Sequence, residues 1–195
     1  ASVGKFLESS VSHETFRNKR ILLIVPDSTR TAPVGMVFKH LFERHHAEVK
    51  SMDVLIALGT HQPMSEKAIC DRLEISIEER KEQYEKVQFF NHEWDNPEAL
   101  QQIGTITSEE ISDLTKGRFS MEVPVSVNKR LFDYDQIIII GPVFPHEVVG
   151  FSGGNKYLFP GVSGPEVLNF FHWLAAIITN PKIIGHKWTA VRKVI

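Results

Sequence analysis

Three short, unbroken apolar runs constrain the fold of this chain more than any other feature. They are residues 20–25 (RILLIV), 53–58 (DVLIAL) and the Ile-rich stretch 135–140. Each is too short for a helix of ordinary length and lacks the polar alternation of a half-exposed strand, so each reads as a strand buried on both faces. Helical patterns lie between and around them. Pro33 opens a helix in which Val34, Val37, Phe38 and Leu41 recur at helical spacing through about His46. Ser65, Glu66 and Lys67 start another, residues 77–87 predict a charged surface helix, and 87–90 predict a short strand. From 98 to 120 the pattern is weak, with Leu100, Ile103 and Ile106 suited to short strands or a turn of helix. Residues 121–127 form a β-type run containing Pro124, which predicts an edge strand. The clearest helix is 165–179, with Val167, Leu168, Phe171, Leu174, Ala175 and Ile178 on one side. Strands alternating with helices give an α/β fold, layered and Rossmann-like, with a mainly parallel sheet and helices on both faces. One such domain is expected over 1–195. An apolar face begun by Val191, Val194 and Ile195 leads us to expect a longer polypeptide.

Composition narrows the function. A formal charge of −2 and no run of Lys/Arg speak against nucleic acid or an anionic membrane as partner. The apolar runs are too short to span a bilayer, and ASVGKFLESS lacks the apolar centre of a secretory signal. Cys70 is the sole cysteine, which excludes an internal disulfide and a Cys-based zinc site. A cytoplasmic protein is expected.

Each buried run ends in a polar cluster: Asp27, Ser28, Thr29 and Arg30 after the first; Gly59, Thr60 and His61 after the second; and 141–161 (GPVFPHEVVGFSGGNKYLFPG) after the third. In open parallel sheets ligands bind beyond the carboxyl ends of the strands. Asp27, Arg30, His61, His146 and Lys156 are therefore candidates for one crevice. The composition of 141–161, with its glycines, prolines, His146 and Lys156, predicts a surface loop. Within it Ser152, Gly153 and Gly154 can offer backbone N–H groups to an anion. The fork of Arg30 suits a carboxylate or phosphate, though it could equally pair with Asp27. His61, after Gly59 and Thr60, and His146, after Pro145, lie at strand ends and suit acid, base or ligand roles. His172 lies in the apolar helix, where a core histidine is the ordinary explanation. His45 and His46 read as surface residues, and His13, His40, His92 and His186 as structural or surface.

Taken together these segments resemble the nickel-pincer lactate racemase family. The resemblance rests on PDSTRTAP (26–33), ALGTHQPMS (57–65), PHEVVGFSGGNKYLFPG (145–161) and the helix bearing His172. Ten positions separate His146 from Lys156, and sixteen separate Lys156 from His172. The family inverts 2-hydroxy acids using the nickel-pincer nucleotide, nickel pyridinium-3,5-bisthiocarboxylic acid mononucleotide, tethered to a lysine. The resemblance implies that Lys156 forms the tether and His172 ligates nickel. It implies that His61 and His146 act as acid and base on opposite faces of C2, and that Arg30 grips the substrate carboxylate. Asp27 and Thr29 would lie near the cofactor, as would Ser152, Gly153 and Gly154. Thr31, Gln62 and Val149 stand where many relatives have proline, arginine and alanine, which suggests a branch with its own substrate. The expected partners are a small 2-hydroxy acid and a missing C-terminal domain of the same chain. Two other readings fit the residues alone: a His-liganded metal hydrolase, and a non-catalytic domain that binds a nucleotide or sugar acid.

Overall fold

A computed structural model describes residues 2–178 and 180–194. Thr179, at the end of the expected 165–179 helix, and Ile195 lie outside the described residues. In chain order the strands are β1 (Arg20–Pro26), β2 (Ser51–Ala57), β3 (Phe89–Asn91), β4 (Leu100–Ile106), β5 (Val123–Asn128), β6 (Gln136–Ile139), β7 (Pro145–His146) and β8 (Gly150–Phe151). The helices are α1 (Ser2–Ser10), α2 (Val34–His45), α3 (Glu66–Leu73), α4 (Ile77–Lys81), α5 (Ser108–Thr115), α6 (Pro165–Ile178) and α7 (Ala190–Val194). The chain divides into two compact units. The first is Ala1–Ile56, Pro63–Asn91 and Arg130–Gly141; the second is Ala57–Gln62, His92–Lys129 and Pro142–Ile195.

The first unit holds a parallel four-stranded sheet in the order β3-β2-β1-β6. The three apolar runs are therefore neighbours, and the fold is α/β as the alternation implies. Ile21 to Val25 are wholly buried, and Met52 to Ile56 nearly so, which means both faces of the sheet are covered. Each such aliphatic side chain contributes about 1.5–3 kcal/mol on burial. α2 adds Phe38 and Phe42, whose rings meet that of Tyr84 at 5.3 and 4.7 Å. Ion pairs and buried polar groups set the register. Asp135 accepts from the Arg20 amide (2.8 Å), Nε (3.2 Å) and Nη2 (2.9 Å), which joins the starts of β1 and β6. The Arg20 guanidinium holds the Asp135 carboxyl far below the usual carboxylate range. Asp53, on β2, accepts from the Gln88 amide at 2.7 Å and the Tyr134 hydroxyl at 2.9 Å.

One expected helix is shorter than its pattern. α4 ends at Lys81 instead of running to Val87, because the chain turns to bury Tyr84 and Val87. Arg80 Nη1 caps that turn, donating to the carbonyls of Tyr84 (2.5 Å) and Glu85 (3.3 Å). His45 is also a correction: it is buried and stacked on Phe16, with ring centroids 3.7 Å apart.

In the second unit β4 and β5 form a two-stranded antiparallel ribbon, Pro124 facing Thr105. Both strands are edges, which is where Pro124 can sit without losing a ladder bond. The weak 98–120 region thus contains a strand and α5, whose start is a capping box: Thr107 Oγ1 accepts from the Glu110 amide and Glu110 accepts from the Thr107 amide. α6 packs on β5, with Val167, Phe171 and Leu174 in the core.

Candidate functional site

The 141–161 segment is a surface loop only in part: Val143, Phe144, Glu147 and Asn155 are exposed, while other positions are packed inward. His146, Val149, Ser152 and Tyr157 are buried in it, because its polar backbone is satisfied by the rest of its unit. It opens with the β7–β8 hairpin, in which His146 pairs with Gly150. Gly150 has φ +84°, and a Cβ there would lie 2.0 Å from the His186 carbonyl oxygen, so only glycine fits. The Gly185 amide donates to the Gly150 carbonyl at 2.9 Å from the same side. Ser152 then folds the loop onto its own start. Its amide donates to the Phe144 carbonyl (2.7 Å), while its hydroxyl accepts from the Phe144 amide (2.9 Å) and donates to the Pro142 carbonyl (3.3 Å). Gly153, at φ +80°, lies against Val143 and Pro142 and admits no side chain. Gly154 is exposed, and a Cβ on it would meet only Arg192 Nη2, at 3.9 Å.

Lys156 sits, partly exposed, in a 3₁₀ turn spanning Gly154–Tyr157, its amide donating to the Gly153 carbonyl at 3.2 Å. Beyond it the loop is fastened to β5. The Asn128 amide donates to the Val162 carbonyl (2.8 Å) and the Gly164 amide to the Ser126 carbonyl (2.9 Å). His92 reinforces this join. Its Nε2–H donates to the Ser163 carbonyl at 3.0 Å, and its Nδ1 accepts from Asn128 Nδ2 at 3.2 Å. Burial pushes the His92 imidazole below its ordinary value, so the ring is held neutral.

His61 is exposed on the turn after β2. Gly59 in that turn donates its amide to the Gly161 carbonyl at 3.0 Å, and its Cα side faces Leu168 of α6. Leu168 in turn accepts a hydrogen bond from His172 Nδ1 at 2.9 Å. The His61 turn, the end of the lysine loop and the first turns of α6 are thereby brought together. The Leu168 contact fixes the His172 tautomer: Nδ1 carries the proton, and Nε2 keeps a lone pair, the arrangement of a metal-ligating imidazole. His172 is exposed, not a core histidine. His146 is set the opposite way, since its Nδ1 accepts from the Val148 amide at 3.0 Å and the neutral ring carries its proton on Nε2. The Glu147 carboxylate stands 3.7 Å from the same Nδ1.

Asp27, Thr29 and Arg30 belong to the first unit, in the turn that leaves β1. β1 lies between β2 and β6, so the strand order reverses at this point of the sheet. Asp27 is buried, and its Oδ1 accepts from the Thr29 amide (3.1 Å) and hydroxyl (2.5 Å). Among the described residues His61, His146 and His172 do not converge as one three-ligand metal group. Arg192 was not singled out by the sequence. Its Nη1 donates to the Phe151 carbonyl at 3.2 Å, and nothing in TAVRKVI signals that reach back to the loop.

Comparison with known proteins agrees with the α/β fold. The chain is 28% identical over 165 residues to a lactate racemase from Thermoanaerobacterium thermosaccharolyticum, a match covering 84% of this chain and 34% of that protein. It superposes on the crystal structure of a Thermotoga maritima protein with a TM-score of 0.81 at 36% identity, covering 99% of this chain and 44% of the other. The lactate racemase apoprotein from T. thermosaccharolyticum shares the fold, with a TM-score of 0.73 at 21% identity over 98% of this chain and 43% of that one. The chain thus spans about a third of the length of the curated relative it matches. The Lactate racemase N-terminal domain family matches residues 2–183, and the chain belongs to that family.

Proposed function

We propose that this chain is the cofactor-bearing part, over 1–195, of a longer racemase or epimerase acting on a small 2-hydroxy acid. The nickel-pincer nucleotide would be tethered through Lys156, with His172 as the protein ligand to nickel. The observation that carries the reading is the His172–Leu168 bond, which presents Nε2 as a nitrogen donor of the kind nickel accepts. The glycine turn before Lys156 adds room, since no atom lies closer than 3.9 Å to a Cβ built on Gly154. When bound, such a group would supply the hydride chemistry needed at C2 of the substrate.

The chain's own residues would move the proton. His61 and His146 serve opposite faces of C2, each taking the hydroxyl proton in one direction and returning it in the other. For His146 this asks for a change of partner. Once Nδ1 leaves the Val148 amide and carries the proton itself, donating it to the Glu147 carboxylate, Nε2 has a lone pair with which to take a proton and give it back. Arg30 is proposed for the substrate carboxylate, and Asp27 and Thr29 for the surroundings of the cofactor. Ser152 and Gly153 act by shaping the loop that carries Lys156. Buried Cys70 suits a reducing, cytoplasmic setting, and no helix among the described residues is long and apolar enough to cross a membrane.

The test is the intact mass of full-length protein produced together with the enzymes that make the cofactor. A mass increase that Lys156→Ala abolishes is expected, with nickel present by elemental analysis. Unmodified, nickel-free protein would sink the reading. His172→Ala should keep the adduct and lose nickel, while His61→Ala and His146→Ala should keep both and lose racemisation.

A further inference from the structure

A second group of metal-ligating side chains lies in the first unit, within residues 13–48. His13 leads a 3₁₀ turn (His13–Thr15), His45 ends α2, and Glu48 lies in the turn before β2. One ligand atom from each falls within 4.8 Å of the other two. Glu48 Oε1 is 3.1 Å from His13 Nδ1 and is hydrogen-bonded to His45 Nδ1. We propose that His13, His45 and Glu48 form a site for a divalent transition-metal cation of the zinc class, distinct from the nickel site proposed above.

The scaffold is already built. The His45 ring is buried and stacked on Phe16, which fixes the direction of Nδ1. The Glu48 backbone is held at both ends, its amide donating to the His45 carbonyl (2.9 Å) and its carbonyl accepting from the Asn18 amide (2.7 Å). His13 is the most exposed of the three, so it can close on an ion after the other two have engaged it. Tetrahedral ligands about 2.0–2.2 Å from zinc stand roughly 3.4 Å apart, close to the His13–Glu48 separation. Two imidazoles and one carboxylate match the donor preference of zinc or nickel over magnesium or calcium, and a water would complete the set. Arg44 is the group that opposes the site. Its Nη2 stands 3.3 Å from His13 Nε2, and as an exposed side chain it must swing outward when His13 Nδ1 gives up its proton to ligate. The bound ion would fasten the His13 turn to the end of α2.

The experiment is titration of ZnCl₂ into metal-stripped, full-length protein made without the cofactor, followed by calorimetry and thermal melting. One equivalent should bind and raise the melting temperature. His13→Ala and Glu48→Gln should each weaken binding by about tenfold or more, whereas Lys156→Ala and His172→Ala should leave it unchanged. His13 is exposed, so its variant tests the ligand without disturbing the core. Absence of saturable binding would overturn the proposal and leave the three groups as a hydrogen-bonded clamp. Binding that survives in both His13→Ala and Glu48→Gln would overturn it as well. Loss of zinc in His172→Ala alone would place the ion at the racemase site instead. Failure of the Lys156 adduct test bears only on the cofactor reading.

Discussion

The turn leaving β1 and the loop leaving β6 are held by different means. At 27–30 a side chain does the holding: Asp27 spends Oδ1 on the amide and hydroxyl of Thr29. At 141–161 the bonds run mostly through main-chain atoms, with glycine wherever another segment comes too close for a Cβ. The first device ties residue identity to shape. The second leaves positions such as 146 and 156 to be chosen for chemistry, which suits a loop proposed to carry both a proton shuttle and a tether.

The sharpest way to break this comparison is to add one carbon to the loop. Gly150→Ala combines φ +84° with a Cβ 2.0 Å from a carbonyl oxygen that belongs to another turn. A loss of about 3 kcal/mol or more is expected in urea unfolding, since backbone must shift to make room. Gly154→Ala, at φ +55° with nothing nearer than 3.9 Å, should cost only about 1–2 kcal/mol for its left-handed backbone. Equal, small losses at both sites would show that the loop adapts and that its backbone does not hold it.

The turn is tested through its carboxylate. Asp27→Ala removes the acceptor of two hydrogen bonds in a buried position and should destabilise by about 1–3 kcal/mol. Asp27→Asn keeps an acceptor oxygen and should cost roughly half of that, by the same urea measurement. If both variants match the parent, main-chain bonds hold the turn too, and the contrast between the regions fails.

The parts of the fold legible in the sequence are those where a single residue pattern decides the outcome. Residues 20–25 and 53–58 could only be buried strands, and the alternation with α2 and α3 led directly to the parallel sheet. α5 was legible but overlooked: Thr107 and Glu110 spell a capping box ahead of Ile111. The early end of α4 was not legible, because it depends on Tyr84 reaching the rings of Phe38 and Phe42 on another helix. The packed part of 141–161 was hidden for a similar reason. Glycine content reads as exposure, yet Gly150 and Gly153 are glycines because other backbone presses on them. For the site, the sequence singled out His172 by its resemblance, whereas the donor geometry of its ring required the Leu168 contact to be seen.

The smallest effect expected concerns the join between the lysine loop and β5. His92 is buried and neutral, with its pKa below the unfolded value of about 6.5 chiefly through desolvation; the Ser163 bond and the carboxylates of Glu93 and Asp95 oppose that shift without cancelling it. Between the two values the unfolded chain binds more protons than the folded one, so stability falls as pH drops below about 6.5 and levels off only beneath the folded value. His45, lowered by burial against the pull of Glu48, adds a contribution of the same sign in the other unit. His92→Gln keeps a donor for the Ser163 carbonyl and an acceptor for Asn128 but cannot titrate. Urea unfolding at pH 7.5 and 5.5 should therefore show a shallower loss in His92→Gln than in the parent, with the His45 part remaining. An unchanged loss would mean that the join does not depend on a neutral His92. In that case the main-chain bonds at Asn128 and Gly164 alone would fasten the lysine loop, which would extend the main-chain rule from the loop to its anchor.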